Sequence, residues 1–252
     1  MFNRILSLLF LLAFAIPAWA DPAVAHRLHE IRTHGFLLCS NLLVYFNNHD
    51  PAATFDPEAK QAYQQNLTHL QGMVDGLPDN TAIASSLNKI KSAIDHLEQQ
   101  PKDAYEQYSR LINPILREHG ELDKAVEAAY KTARSEEPTT DNLHQQSLDT
   151  SRMLLLYETQ AFIGLGIFSI EFHEDTFQEI DQRISSRHAT LIELLPHFRS
   201  DLEKIHTDYN FIRPRLLAPG QRIVSRSAAI YLGRGVTRLN NLAQTSIISA
   251  RQ

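Results

Sequence analysis

Eight successive stretches of this 252-residue chain space their apolar residues by threes, fours and sevens, and no useful length alternates with period two. That pattern confines the chain to helices, each with one apolar stripe to bury. The clearest stripe runs Phe198, Leu202, Ile205, Tyr209, Ile212, Leu216; another runs Tyr63, Leu67, Leu70, Val74, Leu77. Steps of four and three average about 3.5 residues, the period that favours left-handed, near-antiparallel bundles. The punctuation falls between the stripes, at His49-Asp50-Pro51, Asp56-Pro57, Gly76 and Pro78, Gln100-Pro101, Pro196 and Pro219-Gly220. Proline biases the residue before it away from the helical region, so these are the expected breaks. Pro114 and Pro214 fall inside stripes and predict a bend and a weak last turn. Asp79 or Thr81 is placed to cap the third helix.

The stripes also predict a repeat. Leu28-His29 matches Leu143-His144, Phe36-Leu37-Leu38 matches Met153-Leu154-Leu155, Leu77-Pro78 matches Leu195-Pro196, and Leu87-Asn88-Lys89-Ile90 matches Leu202-Glu203-Lys204-Ile205. The expected fold is all-α: two tandem antiparallel four-helix-bundle-like units related by internal duplication. The units span 21–135 and 142–252, joined by a polar linker over 136–141 with Asp141 as the following N-cap, or by a bend in one continuous array. The fifth helix is expected from Asn142 to about Phe172, with Gly164 and Gly166 near its end.

Residues 1–20 carry Arg4, an apolar run from Ile5 to Ile16, and Ala18-Trp19-Ala20 ahead of Asp21. This is the layout of a secretory signal peptide, with cleavage after Ala20 and a periplasmic mature chain. No later stretch has the ~20 apolar residues of a spanning helix. The single cysteine, Cys39, has apolar neighbours and reads as core, so stability has to come from packing.

Removing one arginine from 24 basic residues, against 29 acidic ones, leaves a balance of −6. Nucleic acid is therefore not an expected partner. No acid follows Asp208, while the last stretch carries seven arginines, Arg213, Arg215, Arg222, Arg226, Arg234, Arg238 and Arg251. Arg222, Arg226, Arg234 and Arg238 fall within about half of the helical circumference. Such a face suits carboxylates or phosphates, an acidic partner or an anionic membrane surface; pairing with internal carboxylates is the plain alternative.

Around Arg152-Met153-Leu154, with Phe177, Leu191 and Leu202 downstream, the chain resembles the N-terminal sensory domain of type IV pili methyl-accepting chemotaxis transducers, related to periplasmic nitrate-sensor helical domains. The family's glycine, first arginine and Ser-Gln pair are here Asp149, Thr150 and Leu155-Leu156. The resemblance implies a periplasmic bundle that senses a ligand, with Arg152 contributing to anion recognition. Its mirror in the first unit is Gly35, so the site would exist once. Without a transducer's membrane and signalling segments, the chain is expected to act as a detached module.

Other constellations point less far. His26, Glu30 and His34, at steps of four with His29 beside them, have a spacing that can aim ligands at one metal ion. Near the start of the mature chain they read rather as solvated surface histidines. Glu171, His173, Glu174, Asp175 and Glu179 read as acids at a helix start. No nucleophile motif, phosphate loop or haem attachment site is present, so neither catalysis, a cofactor nor a metal is expected. The expected function is a non-enzymatic periplasmic module that binds a small anionic ligand or an envelope protein partner in signalling. Ligand contacts are expected from Arg152, Arg222, Arg226, Arg234 and Arg238. The alternatives are a scaffold docking on an envelope partner or membrane through its last helix, and a metal-binding bundle.

Overall fold

The computed structural model describes residues 21–50, 54–78, 80–134, 137–162, 176–218 and 223–250. The protein is all-α, with eight α-helices and no strand among the described residues. They are α1 (Pro22–Tyr45), α2 (Pro57–Asp75), α3 (Thr81–Glu98), α4 (Tyr105–Ala133), α5 (Pro138–Thr159), α6 (Thr176–Leu194), α7 (Arg199–Leu216) and α8 (Ser225–Ser249). A single 3₁₀ turn, Pro196–Phe198, leads into α7. None of these helices is long and apolar enough to cross a membrane.

Three helices open the same way, on an acid followed by proline. Asp21 accepts from the amides of Ala23 and Val24, Asp56 from Glu58, and Glu137 from Thr139 and Thr140. Proline is harmless at the first helical position because its missing N–H would have no partner there, and the acid satisfies the exposed amides behind it. This corrects the expected linker. Glu137, not Asp141, caps α5, and the helix already covers most of 136–141. The third helix starts after Asn80, which caps with no side-chain hydrogen bond. Helix α5 also ends earlier than the periodicity predicts, at Thr159. Gly164, Gly166 and the acids Glu171, Glu174 and Asp175 lie outside the described residues, as do residues 1–20.

Helix α1 packs on α2 and α4, α3 on α4, and α2 touches α3; α5 packs on α6 and α8, α7 on α8, and α6 touches α7. Each run of four helices thus closes into a ring in the same order. The rings meet through α1, which also packs on α5 and α8. Helices α1 and α5 are consequently buried nearly all round, and polar side chains such as His29, Arg32, His144 and Asp149 are buried on them along with the apolar ones. Leu37 of α1 joins an apolar cluster of the second half, while Leu148 and Leu155 of α5 join that of the first.

Beside these apolar contacts, the seam between the halves carries a polar network. His29 and His144, paired in the expected repeat, stack face to face with ring centroids 4.0 Å apart. His26 Nδ1 lies 3.0 Å from His144 Nε2, and His144 Nδ1 lies 3.0 Å from the Tyr130 hydroxyl. Asn240 of α8 ties three elements together. Its Oδ1 accepts from Ser147 Oγ at 2.6 Å and lies 3.1 Å from His29 Nε2, while its Nδ2 donates to Thr33 Oγ1. The expectation of solvated histidines at the start of the chain is therefore wrong for His26 and His29, which are buried. The second half covers the face of α1 that carries them.

Candidate ligand cleft between the two halves

Helices α2 and α8 flank α1 without closing over it. They leave a cleft of about 310 Å³ whose floor is Leu37, Asn41 and Val44. Its walls are made low by small residues three or four apart, Ala59 and Ala62 on α2, Ala229 and Gly233 on α8. That volume is at the lower end of small-molecule sites, about 300–1,000 Å³. The cleft runs along antiparallel neighbours, since His34 of α1 pairs with Asn66 of α2 and Asn47, just past α1, with Ser225 of α8.

One end of the cleft is charged. Asp56 and Glu58, at the start of α2, hold Arg226 of α8: Arg226 Nε lies 3.1 Å from Asp56 Oδ2 and its Nη2 lies 2.7 Å from Glu58 Oε2. Asp56 is buried because it also caps α2, whereas Glu58 reaches solvent. The other end is neutral and polar. His34 Nδ1 lies 2.7 Å from Asn66 Oδ1, and the ring of His69 stands edge-on to His34 at 5.3 Å. Burial lowers the pKa of His34, with the Asn66 bond opposing and His69 adding to the shift, so the ring is neutral near pH 7. Thr237 of α8 completes this end.

Of the residues singled out by sequence, only Arg226 and His34 reach this cleft. Arg152 of α5 instead points into the first half. Its guanidinium sits 5.7 Å above the Phe36 ring and its Nη2 lies 3.7 Å from Asp123 Oδ2. Asp123 is held more tightly by Arg32, whose Nε is 2.6 Å from Oδ1. Arg234 and Arg238 both face Asp208 of α7, at 3.5 and 3.3 Å. The described arginines of the last helix thus neutralise internal carboxylates, the plainer of the two readings of that face; Arg222 lies outside the described residues. His26 stays 3.7 Å from Glu30, but His34 turns away to Asn66, and no group of three metal-ligating side chains converges among the described residues.

The sequence reading missed Asp56, Glu58, Asn41, His69 and Thr237, because each lies off its helix's apolar stripe. One signal was available: paired small residues on α2 and α8 leave room where two helices approach a third. Compared with known proteins, the chain matches no family model, no curated protein and no solved structure.

Proposed function

We propose that this chain is an exported helical module that binds a small ligand in the cleft between its halves and relays its presence. One observation carries the reading: the cleft is walled by α2 of the first half and α8 of the second, so an occupant bridges both. An apolar floor with a few polar groups at the ends is the usual build of a small-molecule site. The layout of residues 1–20 supports export to the periplasm, and the resemblance around Arg152 supports a sensory role. The repeat, the common ring order and the stacking of His29 on His144 support an origin by duplication. Scaffolding through the last helix is not proposed, since Arg226, Arg234 and Arg238 are matched by carboxylates.

A ligand at 100 times its dissociation constant adds about 2.7 kcal/mol of stability. A thermal-shift panel of amines, amino acids and small carboxylates is expected to find at least one stabilising compound. Gly233→Leu is expected to abolish that shift, because a Cβ there meets only Leu37 Cδ2 at 4.0 Å and a longer side chain extends into the cleft. A shift that survives this variant places the ligand elsewhere and ends the proposal.

A further inference from the structure

The hydrogen-bonding capacity left over in the cleft says what its occupant must offer. The Asn66 amide is oriented by its Nδ2 donating to the Ala62 carbonyl at 2.8 Å, so Oδ1 faces His34. An amide oxygen only accepts, so His34 donates from Nδ1 and its Nε2 keeps a lone pair. Asn41 donates one Nδ2 hydrogen to the Leu37 carbonyl at 2.8 Å, which leaves its Oδ1 to accept beside the second Nδ2 hydrogen. Thr237 spends its hydroxyl hydrogen on the Gly233 carbonyl at 3.1 Å, leaving oxygen lone pairs. At the charged end Asp56 and Glu58 are acceptors throughout; the one strong donor, Arg226, donates to Glu58 at 2.7 Å and sits 3.1 Å from Asp56, whose buried Oδ2 accepts no hydrogen bond among the described residues. Two carboxylates against one guanidinium leave that end with a net charge of −1. Gln65 and His69, the remaining polar side chains, stand exposed at the rim together with Glu58 and Thr237.

Resting on the cleft as the binding site, we infer that its ligand is a linear cationic amine, one ammonium at Asp56 and Glu58, a second donor at His34 and Thr237, and methylenes between. An ammonium offers three donors and no acceptor, which suits a lining where acceptors predominate. An anion would bring acceptors to acceptors and desolvate carboxylates without compensation. The length fits as well. From His34 to Val44 the floor helix rises about 15 Å, so an extended chain of several methylenes spans most of the way between the ends. Leu37, Val44, Ala59, Ala62 and Ala229 supply the apolar wall for it.

Three molecules of nearly one shape separate the chemistry from the cleft: cadaverine, 1,5-pentanediol and glutarate, compared by thermal shift at equal concentration and ionic strength. Cadaverine is expected to raise the melting temperature most, the diol little, and glutarate not at all. Glu58→Gln and Thr237→Val are each expected to weaken cadaverine about two- to fivefold, the effect of losing one contact to a charged group at a solvent-exposed rim. Gly233→Leu is expected to abolish binding, with Ala62→Leu as a second obstruction should the first fail to fold. Stabilisation by glutarate that Gly233→Leu removes would overturn the amine and keep the cleft. Silence from all three compounds would overturn the amine, with the wider panel left to judge the cleft. A cadaverine shift that both obstructing variants retain would overturn both.

Discussion

The two halves close their four helices in the same order yet are held by different chemistry. In the first half the buried apolar residues of α1–α4, Leu37 apart, form one continuous cluster, extended by Leu148 and Leu155 of α5. In the second they fall into two separate clusters, one around Met153, Phe177 and Tyr209, the other around Leu143, Leu191 and Leu202. Carboxylate–arginine pairs bind that half together. Asp149 holds Arg183 and Arg187, Asp181 takes the Tyr209 hydroxyl and Arg213, and Asp208 faces Arg234 and Arg238. One ring order can thus be stabilised by an unbroken core or by a divided core with ionic ties. The seam between the halves uses both, since Leu37, Leu148 and Leu155 pack across it and Arg152 and Arg226 reach carboxylates of the first half, and it adds a set of neutral imidazoles.

That third chemistry sets the largest expected effect. Burial lowers His26 to about 4 and His144 to about 3, with His26 adding to the second shift. His29 is lowered too, by burial first and then by His144. Unfolded histidine titrates near 6.5, so between that pH and about 4 the unfolded chain binds protons that the folded one excludes. Stability is therefore full above pH 6.5 and falls on acidification, by up to about 1.4 kcal/mol per pH unit for each histidine. Urea unfolding at a series of pH values checks the slope, and His144→Phe should flatten it. Glu158 works in the opposite direction. Fully buried with neither oxygen hydrogen-bonded among the described residues, it is raised to about 8 by burial, with Asp50 adding and Ser225 opposing. Its contribution is present below about 4.5 and lost as pH rises through 8, so Glu158→Gln should flatten the alkaline limb.

Within the halves, truncating the continuous core should cost more than cutting a tie. Leu122→Ala, at a fully buried position, is expected to lose about 3 kcal/mol. Asp181→Asn should lose about 2 kcal/mol, since it weakens the acceptor of a buried tyrosine and an arginine. Chemical denaturation measures both, and equal losses would erase the proposed distinction. Asp181 adds a pH signature. Although burial opposes it, hydrogen bonds from Arg213 and Tyr209 hold its pKa below the usual carboxylate value, so its contribution is lost only as pH falls through that lowered pKa.

The smallest effect tests how closely the first half is packed. Gly35 of α1 faces His119, whose Nε2 would lie 2.9 Å from an added Cβ, whereas nothing lies within 4 Å of one at Gly72 of α2. Gly72→Ala should stabilise by about 1 kcal/mol through helix propensity, while Gly35→Ala should destabilise by about 1–2 kcal/mol. Melting temperatures moving in opposite directions would bear this out.

The helices were legible because each stripe is a local pattern. Phe198 apart, the stripe from Leu202 to Leu216 is buried as spaced, and so are Ile83, Leu87, Ile90, Ile94 and Leu97. Misreadings came where local rules compete. Glu137-Pro138 reads as part of a linker but starts a helix, since proline stops the residue before it and suits the position it occupies. The arginine-rich last helix looked unpaired because its carboxylates, Asp56, Glu58 and Asp208, come from α2's start and from α7.

Residue order alone determined that the chain is helical, where most helices lie and which face of each is apolar, because period and capping act within a few residues. Only tertiary packing decided that His26 and His29 are buried and neutral, that the described arginines of the last helix are matched, and that small residues of α2 and α8 leave a cleft over α1. These properties depend on groups tens to hundreds of residues apart meeting at a few ångströms, and burial and hydrogen bonding are set at that distance, not along the chain.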